Sequence, residues 1–317
     1  MKNELLSKIT DTTLIDVHTH GIGIMLTHLL SGHYPYSQDI LDLSNKAKEN
    51  NVDYVVTFPM PTSVYYDVKG IRQRKYFRAG NCEYPFQYEN LSLLKCIEEF
   101  HLDNILPFLG FSTHSKTQEQ IKLLVDLIEK HNVWGLKYHA TIERKSVMSN
   151  QFKEFSKIAA EFNIPILVHT KLDEWADPLY ILSFLDENPT VRLCAAHCGH
   201  FSRAFYERLK THIPQNLFID CSPFIRICYD MSQRDDKSNL LNIDYSDPQK
   251  AFKQLFYMIP YNLLWGTDAP FNSFVRPDGT ITTYKDEVNI ISGQDIKKQL
   301  CQNAIRFLNG KNDIICL

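Results

Sequence analysis

The stretch Leu14-Ile15-Asp16-Val17-His18-Thr19-His20-Gly21 is an apolar run that ends in two histidines and a glycine. It predicts a buried β-strand that stops at Gly21. Because side chains alternate between the two faces of a strand, His18 and His20 are expected to point the same way and to share one cation. Asp16 is expected on their face, one layer deeper. A lone His-x-His pair also occurs where nothing is bound, so a metal site depends on further ligands.

The composition is that of an ordinary globular protein. The chain has 317 residues, of which 44% are hydrophobic and 22% charged. This length suits one α/β barrel, which typically takes about 250 residues, or two average domains. The formal net charge is −3. Without a basic excess, a nucleic acid is not expected as a partner.

The N-terminus and the cysteines bear on the compartment. Residues 1–13 show no apolar core of a secretory signal, and no run of about 18 apolar residues predicts a membrane span. The eight cysteines lack the short paired spacing of a structural zinc module. Cys194 and Cys221 lie in apolar runs, where a thiol behaves as a small hydrophobic group. We therefore expect a cytoplasmic protein in a reducing compartment, with no membrane partner.

Strand-like and helix-like segments alternate along the whole chain. The predicted strands are 14–21, 52–58, 104–111, 133–139, 164–170, 191–197, 217–221 and 262–267. The predicted helices are 37–51, 89–101, 117–131, 149–162, 175–187, 202–212, 248–258, and a last one from 286 or 294 to 308. Eight such units without a break in composition predict an α/β fold, a single (β/α)8 TIM barrel domain over residues 1–317. A doubly wound open sheet is the alternative.

Two long stretches interrupt the alternation, 60–88 after strand two and 222–245 after strand seven. We expect both to be irregular insertions that cap the barrel mouth or form a subunit contact, which leaves a homo-oligomer open. Side chains near the mouth that could recognise an anionic substrate are Arg72, Arg74, Lys75, Arg78, Arg226, Tyr229, Arg234, Arg276 and Tyr284. Among them we select Arg226 as a candidate substrate ligand.

Side chains capable of chemistry fall at the C-terminal ends of five predicted strands. They are His18 and His20 on strand one, Lys137 and His139 on strand four, His169 on strand five, His197 on strand six and Asp268 on strand eight. The C-terminal ends of barrel strands surround one mouth, where active sites lie. One histidine there is usually structural, but this position on five strands is difficult to explain by packing. The pattern predicts a metal-dependent active site and favours the barrel.

Five motifs occur in order, one per strand end, namely DVHTH, GLKYHA, ILVHT, AAHCGH and LLWGTDAP. Together they resemble the amidohydrolase superfamily of metal-dependent (β/α)8 barrels. The closing NAIRFL resembles the amidohydrolase-related branch, which includes hydrolases, lactonases and zinc-dependent decarboxylases. The resemblance implies that His18, His20 and Asp268 bind a buried metal, with His169 as the fourth ligand. For His197 it implies either a ligand to a second metal or a group that polarises the substrate or moves a proton.

Lys137 has more than one interpretation. Some superfamily members carry a carboxylated lysine on strand four that bridges two metals, so the resemblance implies a metal ligand. An unmodified ammonium group would repel the cation and bind a substrate carboxylate or phosphate, or form a salt bridge inside the barrel. His139 shares its strand face, and we expect it to contact the substrate.

These observations predict a hydrolase. One or two divalent ions, zinc or else manganese, would activate water for attack on an amide, lactone or ester carbonyl of a small molecule. Asp268 would accept the proton of the water and pass it to the leaving group, and His197 would stabilise the oxyanion. The alternatives are a TatD-type nuclease, a zinc-dependent decarboxylase and a non-catalytic scaffold. Lys137 stands where TatD-type nucleases place a glutamate, which counts against the nuclease.

Overall fold

The computed structural model describes residues 2–22, 38–61, 85–276 and 278–310. Eight parallel strands, each beside its neighbour in sequence, form a nearly closed barrel with helices between them. The strands are β1 (Ile15–Ile22), β2 (Tyr54–Pro59), β3 (Ile105–Gly110), β4 (Gly135–Tyr138), β5 (Ile166–Val168), β6 (Leu193–Ala195), β7 (Leu217–Asp220) and β8 (Leu263–Leu264). The predicted (β/α)8 TIM barrel is confirmed, and Pro107 is accommodated within β3.

Helices follow the strands where the periodicity predicts them. Those in the described ranges are α1 (Lys2–Ser7), α2 (Ile40–Glu49), α3 (Gln87–Glu99), α4 (Thr117–Lys130), α5 (Ala140–Glu143), α6 (Asn150–Glu161), α7 (Leu179–Glu187), α8 (Arg203–Thr211), α9 (Phe224–Ser232), α10 (Pro248–Met258), α11 (Tyr284–Asn289) and α12 (Gln294–Asn309). The last predicted helix is in fact two, α11 and α12, because Gly293 adopts a left-handed φ of 103° between them.

Backbone contacts between β1 and the segment after β8 bring the ends of the sheet together. The amide of Val17 donates to the carbonyl of Trp265 at 3.1 Å, and the amide of Asp268 donates to the carbonyl of His18 at 2.7 Å. This approach requires Gly266, since a Cβ there would lie 2.9 Å from the Cβ of His18. The first and last predicted ligand segments therefore become direct neighbours.

Large apolar side chains fill the lower barrel, and α12 closes its end. Phe307 of α12 packs its ring 6.1 Å from Phe108 of β3 and 5.3 Å from Phe218 of β7. Cys194 is fully buried in the same interior cluster, and Cys221 is buried in the layer between strands and helices, as their apolar settings predict. Because the lower barrel is packed, the open space lies at the C-terminal ends of the strands.

A β-bulge in β1 corrects one expectation. The register against β2 shifts by one residue between Asp16 and Thr19. Val17 and His18 therefore both face the barrel interior, whereas Asp16 turns outward and accepts hydrogen bonds from Thr267 Oγ1 at 2.7 Å and Tyr284 Oη at 2.8 Å. The expectation that Asp16 lies on the face of the two histidines is wrong, because simple alternation does not survive a bulge.

The structure describes all of one predicted insertion and little of the other. Residues 222–245 are not irregular throughout, because α9 lies within them and buries Phe224, Ile227, Cys228 and Met231. Of the stretch 60–88, residues 62–84 lie outside the described ranges. Among the described helices, none combines the length and the apolar character that crossing a bilayer requires.

Candidate active site

The side chains predicted at the strand ends line one cavity of about 440 Å³ at the barrel mouth. Its walls include His18, His20, Lys137, His139, His169, His197, Arg226 and Asp268, together with the apolar Met60, Pro223, Ile227 and Phe271. All the candidate metal, catalytic and substrate-binding residues thus face one space. The parallel strands achieve this, because each ends at the same rim.

Two imidazoles converge on one carboxylate oxygen. His20 Nε2 lies 3.0 Å from Asp268 Oδ1, and His18 Nε2 lies 3.3 Å from the same atom. Donor atoms of His18, Asp268 and His197 all lie within 4.8 Å of one another, and all three residues are buried. Ligands bound 2.0–2.2 Å from a zinc ion are separated by about 3.0–3.5 Å, so the nitrogen–oxygen spacing suits one cation.

The charge states of this cluster follow from burial and from neighbouring groups. Burial opposes ionisation of Asp268, but His18 and His20 hold its pKa well below the usual value, so it is a carboxylate. Burial lowers the pKa of His20 to about 4, so its imidazole is neutral at pH 7. Burial and Lys137 oppose protonation of His18, yet Asp220 and Asp268 raise its pKa. A cation bound here would replace the proton of His18.

A chain of imidazoles occupies the opposite wall. His197 Nδ1 lies 2.6 Å from the carbonyl oxygen of Ser222, and its Nε2 lies 2.9 Å from His169 Nδ1. The ring of His169 stacks on that of His139 with 3.8 Å between centroids. Burial lowers the pKa of His197 to about 4 and that of His139 and His169 well below the ordinary value. All three rings are therefore neutral at pH 7.

Asp220 is a site residue that the sequence reasoning missed. It ends β7 with no exposed surface, and its Oδ2 lies 2.9 Å from His18 Nδ1. Burial would raise its pKa, but His18 and the hydroxyl of Ser222 hold the pKa below its usual value. The signal was available, since Asp220 is a carboxylate at the C-terminal end of an apolar strand, as Asp268 is.

Lys137 points into the same cluster. Its Nζ lies 3.4 Å from His18 Nε2 and 4.4 Å from the centroid of the Phe58 ring. Burial lowers its pKa to about 8, while Asp220 and Asp268 favour its charged form. The side chain is thus beside the convergent donors, where it can meet a substrate anion or, if carboxylated, a cation.

A left-handed turn carries His197 and His200 after β6. From His197 to Phe201 every residue has a positive φ, between 51° and 58°. Non-glycine residues in this region cost about 1–2 kcal/mol each, so the packing of the buried Cys198 and Phe201 must hold the turn in place. The turn explains why His197 enters the cavity, and it also brings His200 to the rim.

The remaining candidates are dispersed. Arg226, on α9, faces the cavity, where its Nη1 donates to the carbonyl of Phe271 at 3.2 Å. Tyr284 does not face a substrate, because its hydroxyl is buried against Asp16. Arg72, Arg74, Lys75 and Arg78 lie outside the described residues.

The sequence matches the profile of the Amidohydrolase family over residues 15–310, which is most of the chain. The chain belongs to the amidohydrolase family. The predicted resemblance is thereby confirmed. A comparison of this amidohydrolase with curated proteins finds no match.

Solved structures share the fold of this amidohydrolase at low sequence identity. The dihydroxybenzoic acid decarboxylase of Polaromonas sp. JS666, with manganese and 2-nitroresorcinol, superposes with a TM-score of 0.61 at 11% identity, covering 96% of this chain and 100% of that one. The 5-carboxyvanillate decarboxylase of Sphingomonas paucimobilis gives 0.58 at 11%, covering 94% and 99%. A candidate 2-pyrone-4,6-dicarboxylic acid hydrolase of Acinetobacter baumannii, with citric acid bound, gives 0.57 at 16%, covering 94% and 100%.

The residues of this amidohydrolase fit a divalent ion. Imidazole and carboxylate are ligands that zinc and manganese both accept. In the described part of the chain, His18, His197 and Asp268 are the one group of three such side chains with mutually close donor atoms, and His20 adjoins it through Asp268. This arrangement has donors for one ion.

Proposed function

We propose that this amidohydrolase holds one divalent metal ion, zinc or manganese, at His18, His20 and Asp268, and hydrolyses an amide, lactone or ester bond of a small anionic molecule. The observation that carries the proposal is the convergence of His18 Nε2 and His20 Nε2 on Asp268 Oδ1 inside a buried cavity. His169 is the fourth ligand in this proposal. Its ring lies on the cavity wall with Nδ1 already engaged by His197, which leaves Nε2 for the ion.

Each residue has a distinct task in the reaction. A bound divalent ion makes water more acidic and polarises the carbonyl oxygen under attack. Asp268, a carboxylate in the cavity, accepts the proton of the attacking water and returns it to the leaving group. His197 Nε2, an acceptor 2.9 Å from His169 Nδ1, orients the ring of His169 and takes up or returns a proton during the reaction. Lys137 and Arg226 supply positive charge on the walls and orient a substrate carboxylate.

Decarboxylation of an aromatic carboxylate is the second candidate. Two observations favour it. The described residues contain one group of metal donors, and the decarboxylases named above share this fold, one of them with manganese bound. The apolar side chains of Phe271, Met60 and Ile227 in the cavity wall could pack against a ring. Release of carbon dioxide distinguishes this reaction from hydrolysis.

The test starts from metal-free protein that is reconstituted with zinc or manganese. We expect about one ion per chain by mass spectrometry, and loss of that ion in the double variant His18→Ala/His20→Ala. The double variant His131→Ala/His212→Ala, which removes two histidines at helix ends that do not line the cavity, is the matched control and should keep the ion. Loaded protein is then assayed on ester, lactone and amide panels and on aromatic carboxylates. Equal metal content in all three proteins would refute the site.

A further inference from the structure

Asp220 forms hydrogen bonds to groups on both sides of the cavity. Its Oδ2 faces His18 Nδ1 at 2.9 Å, while its Oδ1 accepts from Ser222 N at 2.9 Å, Ser222 Oγ at 2.6 Å and His197 N at 3.3 Å. We propose that Asp220 is a positioning residue, which fixes the ring protons of His18 directly and of His197 through Ser222. This inference rests on the proposed metal site, because these proton positions leave Nε2 of His18 and, by way of His197, Nε2 of His169 unprotonated towards the ion.

The His18 side follows from the valence of the imidazole. A carboxylate oxygen accepts hydrogen bonds, so His18 Nδ1 must carry the proton that lies between them. In the metal-bound ring the lone pair is then on Nε2, the atom that lies 3.3 Å from Asp268 Oδ1. His20 differs, because its buried Nδ1 meets no hydrogen-bonding group within residues 2–22, 38–61, 85–276 and 278–310. Only one of the two strand-one histidines is therefore braced by the described structure.

The His197 side runs through the backbone of Ser222. The carbonyl oxygen of Ser222 can only accept, so His197 Nδ1 is the donor across their 2.6 Å contact. In a neutral ring His197 Nε2 is then an acceptor, and His169 Nδ1 must donate to it across 2.9 Å. This leaves His169 Nε2 without a proton. Asp220 accepts hydrogen bonds from the amide and the hydroxyl of Ser222. One carboxylate therefore sets the geometry that leaves lone pairs on Nε2 of both His18 and His169.

Asparagine cannot replace aspartate in this position without a conflict. If the side-chain amide oxygen of the Asp220→Asn variant faced His18, its NH2 group would meet the N–H groups of Ser222 and His197. If the amide were reversed, the NH2 group would face His18 Nδ1 and would favour the tautomer with the proton on Nε2. Either orientation breaks the hydrogen bonds on one side of Asp220, those to Ser222 and His197 or the one to His18, although the size of the side chain is unchanged.

The experiment measures the affinity of the full chain for Co²⁺, by competition with a chromogenic chelator. Asp220→Asn should weaken binding about 10- to 100-fold, the usual effect of losing a partner behind a metal ligand. Ser222→Ala, which keeps the backbone groups, should bind Co²⁺ much more tightly than Asp220→Asn. Glu143→Gln neutralises another buried carboxyl group, one bonded to Thr113, and is the matched control for burial. Wild-type affinity in Asp220→Asn would overturn the proposal.

Ring nitrogen spectra of protein labelled with 15N-histidine test the same inference without depending on variant stability. In metal-free wild type we expect the proton of His197 and of His169 on Nδ1, and with zinc added we expect it on Nδ1 of His18. A proton on Nε2 of His197 or His169 would overturn the proposal even if Asp220→Asn did not fold. Wild type that binds no Co²⁺ but shows the expected protons would instead refute the proposed function and leave the positioning role intact.

Discussion

At the scale of the residue, Asp268 is the side chain on which the proposed chemistry depends most. Nε2 of His18 and Nε2 of His20 both contact its Oδ1, and its pKa is held well below the ordinary value despite burial. Asp268→Asn keeps the shape but removes the proton acceptor. We expect kcat to fall about 10²–10⁴-fold, the typical contribution of general acid–base catalysis.

The assay for Asp268→Asn uses a substrate found in the panels and protein whose metal content has been matched to wild type by titration. Asp247→Asn, which changes the exposed residue that caps α10, should retain full activity because asparagine is an equally good cap. A decrease in kcat of less than tenfold at equal metal occupancy would assign the proton transfer to another group.

The sequence predicts the residues of the site better than their partners. Histidines at strand ends can be recognised as candidate site residues because a polar group that follows an apolar run has few structural explanations. Asp220 was missed because a single carboxylate at a strand end has no recognisable motif around it. Its contact with the amide of His197, which follows a different strand, exists only in the folded barrel. Asp16 was placed on the wrong face because the bulge in β1 is a property of pairing with β2, which one strand's own sequence does not contain.

At the scale of the element, the order of strands and helices is predictable because each keeps its own period. The exact ends are not, and most strands are shorter than predicted because the barrel staggers its strands and pairs only part of each apolar run. Helix α9 was missed within 222–245 although its buried residues recur at helical spacing. Arg226, Asp230 and the surrounding polar residues made this stretch resemble an insertion.

Helices α9 and α11 are joined by a buried carboxyl group. Glu287 on α11 accepts from the amide of Ile225 at 3.1 Å, and burial raises its pKa well above the ordinary 4.5. The folded protein thus keeps a proton that the unfolded chain releases, so this group makes stability fall as pH rises from the unfolded pKa towards the folded one. Glu287→Gln should remove this loss of stability, which is about 1.4 kcal/mol in the free energy of unfolding for each pH unit in that window.

Thermal unfolding of Glu287→Gln and wild type between pH 5 and 8 checks this prediction. We expect the Tm of the variant to exceed that of wild type by a margin that grows with pH, by several degrees at the upper end, since about 1 kcal/mol corresponds to roughly 1.5 °C in a chain of 317 residues. Glu207→Gln, at an exposed position on α8, should follow the wild-type curve. A constant difference across the range would mean that Glu287 is ionised in the folded protein.

At the scale of the whole molecule, the proposed metal site lies where the barrel closes. His20 is on the first strand and Asp268 follows the last, 248 residues later, yet their side chains are 3.0 Å apart. An ion at this point would link the two ends of the sheet, beside the backbone contacts that already join them. Binding to the folded chain alone would therefore stabilise the entire barrel.

Metal removal should consequently lower the stability of the whole protein. At a free zinc concentration 100 times the Kd, binding contributes about 2.7 kcal/mol, which for a chain of 317 residues corresponds to a rise in Tm of roughly 4 °C over chelated protein. Differential scanning calorimetry should show this rise as a shift of one main transition, because the ion joins strands from both ends of one barrel. His18→Ala/His20→Ala should show no rise, and His131→Ala/His212→Ala should show the full one. A rise of equal size in both variants would place the stabilising ion elsewhere, and metal content without any rise would mean that the unfolded chain binds the ion as well as the folded one.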